Sequence, residues 1–190
     1  QITLFLEEYR RVLKIFISKL WKEEKLQKFG NSTCESWLSA RAKQCAAKQA
    51  SGIVRSVRKK HDSRAFVIKR LKSEGDYINA ERLQKIQDSK IITLPEVVNA
   101  NAELDSRFCK MKSSNGYFDF WLTLSSFGDK IKINIPIRKT KTFNKWSNMG
   151  KIRPSIRLNE GEVIFFFESE IQKRSGRIIG IDIGFTKMLS

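Results

Sequence analysis

An α+β fold is the expectation for this chain, with helices first and an antiparallel β module after them. Two observations lead there. Apolar residues recur at three- and four-residue steps as far as about residue 88, then alternate with polar ones from Ala102 onward. Pro95 punctuates the change, and turn sequences at Asn115-Gly116 and Asn159–Gly161 divide the second half into short strands. A third observation bounds the size. At 190 residues and 41% hydrophobic content, the chain can bury a core as one domain or two small ones.

Residues 3–29 read as a long amphipathic helix, with Leu6, Tyr9, Leu13, Phe16, Ile17, Leu20 and Trp21 on one stripe and Gly30 suited to the C-terminal cap. A second helix is expected from about Ser36 to His61, its apolar stripe formed by Leu38, Ala42, Cys45, Ala46, Ile53 and Val57. On its other side Arg41, Gln44, Lys48, Ser51, Arg55 and Arg58 follow at three- or four-residue steps and share a face, with Lys59 beside them. Like charges on one face weaken an isolated helix unless a polyanion neutralises them, so this stripe is a candidate for phosphate contact. A solvated helix face usually mixes signs. The third helical stretch, Ser63 to Asp88, is highly charged and is interrupted by "SEGD", which admits a turn at Gly75.

In the second half, "AELDSRFCKMK" and "YFDFWLTL" flank "SSNG" and predict a hairpin through Asn115-Gly116. "KIKINIPI" predicts a half-buried strand ended by Pro136. "SIRLNEGEVIFFFESE" predicts another hairpin, turning at Asn159–Gly161. Between these strands, "RKTKTFNKWSNMGKIRP" predicts a short helix within a basic loop. There Arg138, Lys139, Lys141, Lys145, Lys151 and Arg153 surround Phe143 and Trp146. The cations could neutralise phosphates; Trp146 either stacks on an unpaired base or packs under the loop.

Charge has an address. The chain carries 37 Lys+Arg against 20 Asp+Glu, a net of +17. Residues 38–90 hold 14 basic and 5 acidic groups, and residues 130–157 hold 9 basic and none acidic, so these two segments supply nearly all of the excess. Polyanions lead the list of partners for such a surface. Three widely spaced cysteines and a single histidine, His61, assemble no zinc site of the usual spacing and suit reduced thiols in a cytoplasmic protein. No stretch approaches the ~18 apolar residues of a membrane span, so no membrane partner is expected.

The last thirteen residues, "IIGIDIGFTKMLS", predict a strand buried on both faces. A carboxylate there is costly unless it is paired or holds a metal, which makes Asp182 a candidate Mg²⁺ ligand. A two-metal site needs further acids, and none follows Asp182.

"GIDIGFTK" resembles the first phosphate-binding strand of sugar kinases of the actin-like ATPase superfamily. Those place it near the N-terminus, with a second glycine where this chain has Phe185. A second resemblance covers nearly the whole chain. Residues 3–90, then "FDFWLTLSSFGDKIKINIPIRKTKTFNKW" and "GKIRPSIRLNEGEVIFFFESE", then "RIIGIDIGFTKMLS" resemble in order the N-terminal half of TnpB, the transposon-encoded RNA-guided nucleases, and of the compact type V CRISPR effectors. The resemblance implies a helical recognition lobe at 1–100, inserted next to an antiparallel β-barrel or wedge portion at 101–171. A linker and the first strand of a ribonuclease-H-like RuvC fold would follow at 172–190. It further implies a guide RNA and target DNA as partners, gripped by shape and phosphate charge while base pairing reads sequence. Asp182 would be the first of three acids holding catalytic Mg²⁺, and the remaining RuvC acids and a zinc-bearing segment would lie on the same or another polypeptide. A nuclease-dead or truncated RNA-guided DNA-binding protein, a generic RNA binder and the kinase are the alternatives.

Overall fold

In a computed structural model of the protein, residues 1–23, 33–89 and 93–170 are described. The C-terminal segment with Asp182, expected to form the first strand of a RuvC fold, lies outside them, as does Gly30. The architecture is α+β, in the order α1 (Ile2–Lys22), α2 (Ala40–Ser73), α3 (Tyr77–Ser89), β1 (Ala102–Leu104), β2 (Cys109–Ser113), β3 (Phe120–Leu124), β4 (Ile133–Ile137), α4 (Lys141–Met149), β5 (Lys151–Leu158) and β6 (Val163–Glu168).

The centre of the molecule is α1. Its three- and four-residue spacing puts Phe5, Leu6, Tyr9, Val12, Leu13, Phe16, Ile17 and Leu20 into the core, all essentially inaccessible. Burying each of the larger side chains stabilises the fold by roughly 1.5–3 kcal/mol. One face of α1 meets Ala42, Ala46, Ala50 and Val54 of α2, and the core continues into Leu104, Leu122, Leu124, Ile156 and Leu158 of the strands. One hydrophobic cluster therefore runs through residues on both sides of position 100. Polar contacts reinforce it. The Tyr9 hydroxyl donates to Gln49 Oε1 (2.9 Å), and Arg10 donates from Nε to the Ala100 carbonyl (3.0 Å) while pairing with Glu160 in the β5–β6 turn.

The second helix starts where Ser39 caps it, the hydroxyl accepting from the Ala42 N–H (3.0 Å). The Ser39 N–H donates to the Phe127 carbonyl (2.8 Å), which pins the helix start to the β3–β4 loop. Gly128 in that loop has φ +141°, and a Cβ there would collide with the Trp37 carbonyl and crowd the Ser39 nitrogen. The expected break between His61 and Ser63 does not occur. Those residues are polar but compatible with helix, and no Gly or Pro intervenes before Gly75, so α2 runs unbroken to Ser73. It ends in a Schellman turn at Gly75 (φ +81°), where the Asp76 N–H donates to the Leu71 carbonyl and the Gly75 N–H to Lys72. Asp76 then caps α3, accepting at Oδ1 from the Asn79 N–H. The side-chain and backbone hydrogen bonds from Asn79 hold its carboxyl below the usual range.

The strands form two three-stranded antiparallel sheets, β1-β5-β6 and β2-β3-β4, and neither is closed into a barrel among the described residues. The stretch "AELDSRFCKMK" is thus divided. Its first part, β1, pairs with β5 fifty-odd residues away (Ala102↔Leu158), and only β2 pairs with β3. The β2–β3 hairpin passes through Asn115-Gly116 as expected, but its connection is longer than "SSNG", because Ser113 pairs with Phe120. Pro136 sits inside β4 opposite Trp121 rather than ending it; the missing donor is tolerated because β4 is an edge strand. The β5–β6 hairpin turns at residues 159–162 as expected. Phe143 of α4 stands 5.7 Å from Phe120, 5.7 Å from Phe165 and 5.2 Å from Phe167, so one ring anchors the short helix on both sheets.

Candidate nucleic-acid interface

The basic stripe of α2 divides by environment. Both of its ends are engaged by the protein itself. Arg41 is half-buried, ion-pairs with Asp105 and donates to Gln44 Oε1 (2.7 Å). Arg58 reaches the C-terminus of α1 and donates to the carbonyls of Leu20 (3.1 Å) and Glu23 (2.6 Å). A cation at the negative end of a helix that satisfies its orphan carbonyls is a capping group. Periodicity alone placed Arg58 on the open face; the end of α1 lands on it. Lys48, Arg55 and Lys59 are exposed and make no hydrogen bond or ion pair among the described residues.

The second basic segment surrounds α4. Thr140 caps that helix by accepting from the Phe143 N–H (3.1 Å), which fixes Lys141 and Lys145 in solvent. Trp146 is 42% exposed, with the Lys145 ammonium 6.0 Å from its ring centre. Phe143 is the residue that packs beneath the loop, and Trp146 is presented outward. Arg138 lies over the Tyr117 ring at 3.9 Å, and the Lys139 N–H donates to Asp119. Lys151 is exposed, while Arg153 lies 3.6 Å from Glu168.

The two segments meet. Arg41, Gln44, Cys45, Lys48 and Gln49 from α2 face Arg153, Ser155 and Arg157 from β5 across a cleft of about 380 Å³, with Glu103, Asp105 and Phe166 completing its walls. Four cations and two carboxylates line it. Burial pushes the Cys45 thiol up, which keeps it neutral. Arg157, which the sequence reading did not single out, chelates Glu103 Oε1 through Nε (3.0 Å) and an NH2 (2.7 Å), and its guanidinium lies 5.3 Å from the Phe166 ring. These carboxylates hold guanidiniums in place across the cleft, and half-exposed pairs of this kind stabilise by only about 0.2–1 kcal/mol. A phosphodiester oxygen could therefore share or displace them at small cost, because arginine presents further N–H donors in a fixed fork. The signal for Arg157 was the acid-free run from 130 to 157.

Among the described residues no three His, Cys, Asp or Glu side chains converge in a way that could hold a metal ion, and Asp182 lies outside them. Among the same residues no helix is long and apolar enough to cross a membrane. No protein-family model, curated protein or solved structure matches the chain.

Proposed function

We propose that this chain is the guide-RNA- and target-DNA-binding portion of an RNA-guided DNA endonuclease of the TnpB or compact type V kind. The observation that carries the reading is the cleft between α2 and β5, where Arg41 and Lys48 from one basic segment face Arg153 and Arg157 from the other. A basic cleft of this kind suits a nucleic-acid backbone, contacted through phosphates and without sequence readout. The order of segments along the chain, helices, then a β module with a basic loop, then "GIDIG", supports the more specific identity. On this reading the wedge-like sheets and helices grip the RNA scaffold and heteroduplex. Asp182 would supply the first Mg²⁺-binding acid of a RuvC site completed by residues beyond this segment, and the metal would activate water for phosphodiester cleavage.

The test is what the protein carries. Purified chain is expected to hold one RNA species of discrete length, and sequencing it identifies the guide. A random RNA population would leave a basic RNA-binding protein and remove the guide. Lys48→Glu with Arg153→Glu is expected to weaken RNA binding at least tenfold in filter binding and to flatten its salt dependence. Unaltered binding would place the RNA elsewhere.

A further inference from the structure

The sheet β2-β3-β4 has one face in the core and one in solvent. Phe120, Leu122 and Leu124 of β3 point inward and are buried, so Trp121 and Thr123 point outward. Register carries the outward face across all three strands. Lys112, Trp121 and Pro136 form one row, and Lys110, Thr123 and Asn134 form the next. Trp121 is 39% exposed and is propped by Phe118, ring centres 6.0 Å apart, which in turn meets Tyr117 edge-on at 5.3 Å. Tyr117 is 73% exposed, with Arg138 on its ring. Lys110 and Lys112 are exposed and make no ion pair among the described residues. Thr123 donates to Asn134 Oδ1 (2.8 Å), which orients the Asn134 carboxamide and leaves its Nδ2 donors free.

We infer that this outer face is a stacking platform for a short unpaired segment of RNA, with one base on Trp121. The combination is chemical. An exposed, propped ring in mid-sheet offers a π-face to any base, worth a substantial share of binding in single-strand-binding proteins. Lys110 and Lys112 on one flank and Arg138 at the end supply the charge that phosphates require. The oriented Asn134 amide, in the row next to Trp121 on the same face, is a donor for the ribose 2′-hydroxyl, the group that distinguishes RNA from DNA. Duplex RNA cannot use the platform, since its bases are already stacked. The inference does not rest on a guide RNA, nor on the cleft between α2 and β5.

The experiment uses the full chain and a fluorescein-labelled twelve-nucleotide oligouridylate, read by anisotropy against a duplex RNA of the same length and the matching DNA strand. Trp121→Ala is expected to weaken the unpaired RNA about tenfold and leave the duplex unchanged, whereas Trp121→Phe retains most of the affinity. Lys112→Glu is expected to weaken it several-fold, with a salt slope smaller by about 1. Equal losses for duplex and unpaired RNA in Trp121→Ala would mark a structural role and overturn the platform, as would wild-type affinity in that variant. Equal binding of the DNA strand would overturn the assignment to RNA. Should Trp121→Ala not fold, Lys110→Glu with Lys112→Glu decides in the same assay, since both side chains are in solvent. A random RNA content in purified protein would remove the guide reading while leaving this result standing. A defined RNA with no effect at Trp121 would do the reverse.

Discussion

The helices α1 and α3 are both charged and amphipathic, yet they stand at opposite ends of the energetic scale. The first buries eight side chains of its twenty-one residues, whereas α3, with thirteen, buries only Ala80. The second helix spans both regimes. Its first half buries Ala42, Cys45, Ala46, Ala50 and Val54; beyond Val54 only Ile68 is buried, although the helix runs on to Ser73. The molecule is thus a packed body built on α1 and a thin α2–α3 arm that leaves Phe66, Tyr77 and Ile78 in solvent. Helicity in the body follows from tertiary burial. In the arm it rests on local devices, namely the Schellman turn at Gly75 and the Asp76 cap.

That contrast can be broken from the body side. Phe16→Ala removes a ring that is 1% exposed and is expected to cost about 3–5 kcal/mol, seen as a lowered urea midpoint for all probes together. If only part of the signal shifted, α1 would not be the common core. Arg58→Ala is expected to cost about 1–2 kcal/mol, because the α1 carbonyls lose a charged donor. Its effect should appear in α1, the body helix, although the residue sits on α2. Gly75→Ala places a side chain at φ +81° and is expected to cost about 1 kcal/mol, confined to the arm. Amide exchange should quicken across α3 while α1 stays protected. The smallest effect belongs to Glu8. Its carboxyl is held below the usual range by the hydrogen bond from Arg11, against burial, with Ser36 also donating. A lowered folded-state pKa contributes stability that is present above the unfolded value and fades as pH falls through the folded one. Glu8→Gln should therefore reduce stability by a few tenths of a kcal/mol at pH 7 and not at all near pH 2, measured by thermal melts.

Legibility followed the range of the interactions. The apolar spacing in α1 and the Asn159–Gly161 turn are local signals, and both were readable. The continuity of α2 through His61-Asp62-Ser63 was not, since polar residues in a solvent-facing helix resemble a terminus. Nor was β1, three residues whose partner lies in β5; no periodicity encodes a pairing at that separation. The site shows the same division. Charge segregation pointed to both walls of the cleft, but Glu103 and Asp105, which fix Arg157 and Arg41, sit in an acidic stretch that gave no reason to connect them. Alternation in "FWLTL" predicted a strand, and only the partner register showed that Trp121 shares its face with Lys112. Arg58 needed the end of α1, a tertiary fact.

The unbroken course of α2 has a mechanical corollary. Thirty-four residues of helix make a rod roughly 51 Å long. A tilt of about 5° at one end of such a rod displaces the other by about 4 Å. Ser39, at the near end, is bonded to the β3–β4 loop through Ser126 and Phe127. The stretch from Ala42 to Val54 is seated in the core and Arg58 is tied to the end of α1, so force applied at the Gly75 tip reaches α1 first and the β3–β4 loop through the seated half.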